Sequence, residues 1–336
     1  MFFYTYIILL IILNIFLFLN IKTISLKLNI FDNPDKLLKI HKIKTPVLGG
    51  VFIYINILIY LTLFLLFQHE EGRNIFASNK TFFNFFFFGT ILFLIGIFDD
   101  KYKIKANSKL VFFALAIYIS VLLDKNLVIN SVKFSFVEKE FFLENFSIFF
   151  TVICILLFIN AFNMFDGINC QTGCYSIFIF IIFLINGLDK FLVLSFIIPL
   201  LFFIIFNFKG KTFLGNSGSY MVPLLISYLS IISYNNKIFL ADEVIFFLFF
   251  PGIDMLRLFI ERIFNGRNPF DGDKNHIHHI LLKKFGLFQT LFLTVGFKVV
   301  LYSIYLLSNI NMLYFLFLIV LYYMTIYFSF KKKYEN

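Results

Sequence analysis

The sequence predicts an all-α fold: a polytopic integral membrane helical bundle of about 11 transmembrane helices, N-terminus outside and C-terminus cytoplasmic. Three observations carry that reading. Hydrophobic residues are 60% of the 336 and charged residues only 14%, where a soluble domain is near half apolar and a quarter charged. Apolar runs of roughly 17–25 residues, the length a bilayer requires, recur along the whole chain. Lysine and arginine gather in alternate connections. The runs are continuous rather than alternating, which excludes a β-barrel. Residues 1–336 read as one domain.

In order, the spans are expected at 2–20, 46–67, 82–98, 108–123, 146–162, 173–188, 190–207, 217–234, 239–256, 288–308 and 311–330. The first is followed by more membrane and lacks a small-residue cleavage site, so it reads as a transmembrane helix rather than a signal peptide. With the N-terminus outside, the inside segments carry 21 basic residues and the outside segments 7, with Lys298 left within a span. The net charge of +10 is then a topology signal and an attraction to anionic headgroups. No basic stripe with interleaved aromatics stands apart from that pattern, so a nucleic-acid partner is not expected. Cys154, Cys170 and Cys174 lie in a span or face the reducing side, where neither disulfide nor metal is expected.

The outside connection at 124–145 alternates enough for a short hairpin. The inside connections hold the polar motifs. "HKIKTPVLGG" (41–50) has Pro46 to stop a helix and Gly49-Gly50 to let backbones approach. "GIFDDKYKIKANSKL" (96–110) places Asp99 and Asp100 side by side. Adjacent carboxylates repel unless a cation is near, and such a pair suits metal or proton handling. Lys109 begins the next helix and can return to them. A solvated juxtamembrane pair is the plain alternative.

"NAFNMFDGINCQTG" (160–173) sets Asn160, Asn163 and Asp166 on one helical face before Gly167. Oxygen-bearing side chains there suit a hard cation or a nucleotide, or form an ordinary polar helix end. "KGKTFLGNSGSY" (209–220) makes a glycine turn opening into a helix, where free N–H groups favour phosphate. "NPFDGDKNHIHHILLKKFG" (268–286) brings His276, His278 and His279 together with Asp271, Asp273, Arg257, Arg262 and Arg267. Zinc is one reading of a histidine cluster. The spacing places His276 and His279 on one face with His278 off it, and these donors suit a phosphorylated substrate better. All five segments face one side. Their convergence describes a single site at the lipid boundary, suited to phosphoryl transfer between a soluble nucleotide compound and a membrane lipid.

"DD" with a downstream Lys, "NxxNxxDG", "FLGxxGS" and "DxxHIHHxLLxxG", in this order, resemble the polyprenyl-phosphate N-acetylhexosamine-1-phosphate transferases. The resemblance covers nearly the whole chain. It is nearest the undecaprenyl-phosphate GlcNAc-1-phosphate branch, with phospho-N-acetylmuramoyl-pentapeptide transferase as the rival. It implies a multi-pass enzyme of the bacterial plasma membrane with a cytoplasmic-face site. The implied cofactor is Mg²⁺, or Mn²⁺ in its place. The implied partners are a UDP-sugar, polyprenyl phosphate and membrane lipids, and a homodimer stays open.

It implies catalytic roles for Asp99, Asp100 and Asp166, and metal contacts for Asn163 and Asn216. Substrate contacts fall to Lys109, Asn160, Phe213 (at the uracil), Arg267, His276, His278 and His279. One departure matters: the family's pattern has Asp in "GDxGS" where this chain has Asn216. A transporter or flippase would instead place charges near the membrane midplane, where Lys298 stands almost alone. A non-catalytic homologue is motivated by Asn216 alone.

Overall fold

The computed structural model describes residues 2–34, 43–67, 76, 78–268 and 275–331. Every apolar stretch is helical. The helices are α1 (Phe2–Leu19), a short α2 (Ile21–Leu28), α3 (Gly49–Phe67), α4 (Asn79–Tyr102), α5 (Ala106–Leu123) and α6 (Ser147–Phe165). They continue with α7 (Gln171–Ile185), α8 (Lys190–Phe208), α9 (Gly215–Asn235), α10 (Ala241–Phe264) and α11 (Ile277–Phe285). A run of α12 (Leu287–Leu291), a π turn (Phe292–Gly296) and α13 (Phe297–Leu307) leads to α14 (Met312–Lys331).

Among the described residues, eight helices are long and apolar enough to cross a bilayer: α1, α3, α4, α5, α6, α8, the α12–α13 run and α14. Helix α7 is apolar but shorter. The other three expected spans, at 173–188, 217–234 and 239–256, are helical as α7, α9 and α10 but do not meet that length and composition. Helix α9 falls short because it is buried without interruption from Ser217 to Ser233. A helix enclosed on all sides by protein need not match lipid, so its serines and tyrosines are tolerated. Helix α10 carries Asp242, Glu243, Asp254, Arg257, Glu261 and Arg262.

Among the described residues there are also two short strand pairings. Strand β1 (Phe31–Asp32) pairs antiparallel with β2 (Thr45–Pro46), so Pro46 lies in a bridge and not at a helix stop. Strand β3 (Ser131–Val132) pairs with β4 (Phe141–Phe142), the hairpin expected in the 124–145 connection.

Helix α9 is the axis of the bundle and packs against α3, α4 and α6. The close approach depends on glycine. A Cβ on Gly96 of α4 would lie 2.5 Å from the Asn216 carbonyl oxygen, and one on Gly50 of α3 would lie 2.5 Å from Gly218 Cα. Backbone cannot yield as a flexible side chain can, so Gly96→Ala is expected to cost on the order of 1–3 kcal/mol, the range for overpacking. A lowered melting temperature of the detergent-purified protein is the readout. An unchanged melt would mean that α4 and α9 sit further apart.

Buried polar groups fasten the helices across the apolar interior. Asn14 and Asn56 exchange amide hydrogen bonds between α1 and α3 (2.7 and 3.2 Å). Tyr228 of α9 donates to Asp124 Oδ2 (2.6 Å) and accepts from Asn84 of α4 (3.0 Å). Lys298, the cation expected within a span, is buried and donates to the Phe247 carbonyl (2.7 Å). Pro251 has no N–H to offer the carbonyl four residues before it. That oxygen instead accepts from Lys298 and from the Tyr175 hydroxyl.

Candidate active site

Asp99 and Asp100 close α4. Successive helical residues point about 100° apart, so these two carboxylates face different elements. Asp99 is 3% exposed. Its Oδ2 accepts from Lys109 Nζ (2.9 Å) and from the Tyr220 hydroxyl (2.6 Å), while Oδ1 accepts from the Ile104 N–H (2.7 Å). Lys103 takes a left-handed conformation (φ 53°) that ends α4 and turns the chain into α5. This turn is what returns Lys109 to Asp99.

Asp100 reaches the start of α9. Its oxygens accept from the N–H groups of Asn216 (2.9 Å) and Ser217 (3.2 Å). Those groups were expected to be free for a phosphate. The structure gives them an internal anion, because a carboxylate at a helix N-terminus satisfies both the orphan donors and the dipole. Gly215, with φ +78°, makes the turn that aims them there.

Asn163 of α6 meets the same helix end. Its Nδ2 donates to Ser219 Oγ (2.8 Å) and lies 3.4 Å from Asn216 Oδ1. Asp166 lies just past α6 and accepts from the Thr172 hydroxyl (2.6 Å). Burial pushes its carboxyl up to about 6, and the Thr172 bond offsets part of that. Asn160 and Asn163 keep the i, i+3 spacing of one face within α6, but Asp166 does not continue it as a helical residue. Asn160 donates back to Leu156 of its own helix (2.8 Å), while Asp166 falls on the turn rather than on the helix. Phe213 joins the region through its backbone, donating to the Pro46 carbonyl (2.9 Å) and accepting from the Gly49 N–H (3.0 Å).

The histidines arrive from the other side. His278 is fully buried, stands edge-on to Phe165, and packs against Gly167 so closely that no Cβ would fit there. Burial first, and the neighbouring histidines second, hold its imidazole well below the ordinary range. His276 and His278 stack at 5.2 Å, and His278 and His279 lie at 4.4 Å. The expectation that His278 would stand apart from the other two fails because His276 caps α11 from outside the helix, where helical spacing does not apply. Arg267 is exposed, and Asp271 and Asp273 lie outside the described residues.

One chain of contacts thus links Lys109, Asp99, Asp100, Asn216, Asn163, Asp166, Gly167 and His278. Each link is a hydrogen bond, a packing contact, or chain adjacency within three residues. Asp254 of α10 extends it, since Oδ2 accepts from His276 Nδ1 (2.8 Å). Sequence reading passed over Asp254 because it sits inside an apolar run. A carboxylate at such a place is itself a functional signal, and Lys298 was therefore not alone.

Among the described residues, two places could hold a cation. The facing amides of Asn163 and Asn216, beside the Asp100 carboxylate, offer hard oxygen atoms of the kind Mg²⁺ takes. Asp254, His276 and His278 bring ligand atoms within 4.8 Å of one another, a set closer to zinc chemistry. There the carboxylate is already engaged, and the Arg257 guanidinium lies 2.8 Å from it. A metal would have to share that space with a fixed positive charge, so the oxygen-rich corner fits better.

Residues 82–234 match the model of glycosyl transferase family 4. The undecaprenyl-phosphate alpha-N-acetylglucosaminyl 1-phosphate transferase of Thermotoga maritima is 28% identical over 289 residues, 85% of this chain and 84% of that protein. Its namesake in Escherichia coli K12 is 25% identical, covering 81% and 75%. A Bacillus subtilis protein named probable undecaprenyl-phosphate N-acetylglucosaminyl 1-phosphate transferase is 28% identical, covering 80% and 73%. The matched segment runs from α4 to α9 and so contains the aspartate pair, Lys109, Asn163, Asp166 and Asn216. Residues 82–234 are thus similar to glycosyl transferase family 4, and over most of its length the chain is similar to proteins named undecaprenyl-phosphate N-acetylglucosaminyl 1-phosphate transferase.

Proposed function

We propose that this chain transfers N-acetylglucosamine 1-phosphate from UDP-N-acetylglucosamine to undecaprenyl phosphate at the cytoplasmic face of a bacterial plasma membrane, releasing UMP. The observation that carries the reading is the convergence of the α4, α6 and α9 ends with the histidine turn. An anionic nucleotide and a lipid phosphate both need such a polar pocket at the edge of an apolar bundle. A further support is a cavity of about 550 Å³ between α6, α9 and α10. Ile155, Phe158, Ile231, Leu248 and Phe249 line it, together with Ala161 and Met255. Its apolar walls suit a polyprenyl chain.

In this reading Lys109, oriented by Asp99, binds the lipid phosphate. The attacking oxygen of that phosphate displaces UMP at the phosphorus bearing the sugar. Asp100 fixes the start of α9 and, at the lipid phosphate, takes the proton the attacking oxygen must lose. The histidine turn binds the sugar nucleotide. Asn163 and Asn216 would hold Mg²⁺, or Mn²⁺ in its place, and that ion supplies charge neutralisation at the pyrophosphate.

The test uses sealed vesicles containing the full chain, undecaprenyl phosphate and labelled UDP-N-acetylglucosamine. A labelled lipid product is expected when the cytoplasmic face is outward, and EDTA should remove it. A product made equally from the opposite face would overturn the orientation. A product indifferent to EDTA would overturn the metal. No product with any UDP-sugar would overturn the transferase reading.

A further inference from the structure

We propose that Asp254 is a positioning residue, holding His276 through Nδ1 so that Nε2 is the atom presented to the sugar nucleotide. The inference rests on the transferase reading for its ligand, and on geometry for the rest.

Asp254 lies three residues beyond Pro251 on α10, and its side chain is 2% exposed. It accepts four hydrogen bonds. Oδ2 takes His276 Nδ1 (2.8 Å). Oδ1 takes Arg257 Nη2 (2.8 Å), the Tyr323 hydroxyl (2.9 Å) and the Ile277 N–H (3.2 Å). An ionised carboxylate can only accept, so His276 Nδ1 must carry the proton. Nε2 lies across the ring and therefore faces away from α10.

The surrounding bonds hold the whole turn. Arg257 Nη2 also donates to the Asn275 carbonyl (2.8 Å), and its Nε donates to the Tyr323 hydroxyl (2.9 Å). Arg257 Nη1 pairs with Glu261 (3.0 Å), which accepts from the Tyr327 hydroxyl. Helices α10 and α14 thus clamp residues 275–277, the point where the chain enters α11. This network also weighs against the metal reading, since the Arg257 guanidinium already neutralises the carboxylate (2.8 Å). A histidine oriented by a carboxylate on one nitrogen offers the other as a lone pair, or as a charge-assisted donor once protonated. A pyrophosphate draws the second form.

The test begins with the wild-type protein, full length, in nanodiscs and labelled with ¹⁵N-histidine. His276 is assigned by the signal lost in His276→Gln. Nδ1 should have the shift of a protonated nitrogen. In Asp254→Asn the amide oxygen can serve Arg257, Tyr323 and Ile277, leaving the NH₂ to face His276. The ring proton should then move to Nε2. KM for the UDP-sugar should rise about tenfold, as a neutral donor replaces a charge-assisted one, with a smaller change in kcat.

An unprotonated Nδ1 in wild type would overturn the proposal whether or not the variant folds. So would an Asp254→Asn protein that melts normally and keeps both ring signals and KM. Stoichiometric Zn²⁺ uptake by wild type, lost in Asp254→Asn, would assign the cluster to a metal instead. The ring signals need no turnover. A wild-type protein with the expected signals but no transfer would count against the transferase reading alone.

Discussion

Asp100→Asn is expected to insert and fold yet lose transfer activity on the order of a hundredfold or more, the scale of removing a general base. The structure supplies a strict rival explanation. Asp100 accepts the N–H groups of Asn216 and Ser217 and so also caps α9. An asparagine can still accept one of them, and a lost cap costs about 1 kcal/mol. A cap alone therefore predicts a modestly lower melting temperature with near wild-type turnover. Measuring both separates the two roles, and a wild-type rate would leave Asp100 as structure only. Asp99→Asn should also fall on the order of a hundredfold, by another route. It strips the charge partner from Lys109, whose ammonium is then no longer held where the lipid phosphate would bind. Rate loss in Asp99→Asn should accordingly be accompanied by weaker lipid-phosphate binding.

Asn216 should set the metal requirement. An amide oxygen can ligate Mg²⁺ but brings no negative charge, and Mg²⁺ favours carboxylates. A lost charge–metal contact is worth roughly 1–3 kcal/mol on the scale of hydrogen bonds to charged groups, about tenfold to hundredfold in half-saturating metal. Asn216→Asp should lower that concentration without altering the product. The new carboxylate would stand at the α9 N-terminus, where the dipole favours it, and would keep an acceptor for Asn163, now 3.4 Å away. Asn216→Ala should abolish transfer. A metal titration of all three proteins decides. If the alanine protein stays active and the aspartate protein keeps the wild-type curve, Asn216 is not a ligand.

Part of the candidate site is legible in the sequence. Lys109 returns to Asp99 because a short turn joins two spans, and charge complementarity across such a turn can be read from spacing. The approach of Gly50 to α9 was half legible, since the Gly49-Gly50 pair at a membrane helix start signals close packing without naming the partner, whereas that of Gly96 was not read. The pairing of Asp100 with α9 was not legible. It joins residues more than a hundred positions apart, and the free N–H groups looked like a phosphate site until a carboxylate was found on them. Asn160, Asn163 and Asp166 were placed on one face by helical arithmetic, which holds for the two asparagines and stops at Asp166, where α6 has ended. The same arithmetic failed at His276, which precedes its helix.

By itself the sequence determined the membrane class, the helical positions and the gathering of basic residues in alternate connections. These follow from transfer free energies and local spacing, which act residue by residue. Tertiary structure alone decided which helices need not face lipid, as α9 shows, because enclosure by neighbours replaces the lipid that would otherwise demand apolar side chains. It alone decided that Asp254 holds His276 and that Pro251 leaves Phe247 to Lys298. A buried polar group must find its partner wherever the fold brings one, and no local pattern specifies that partner.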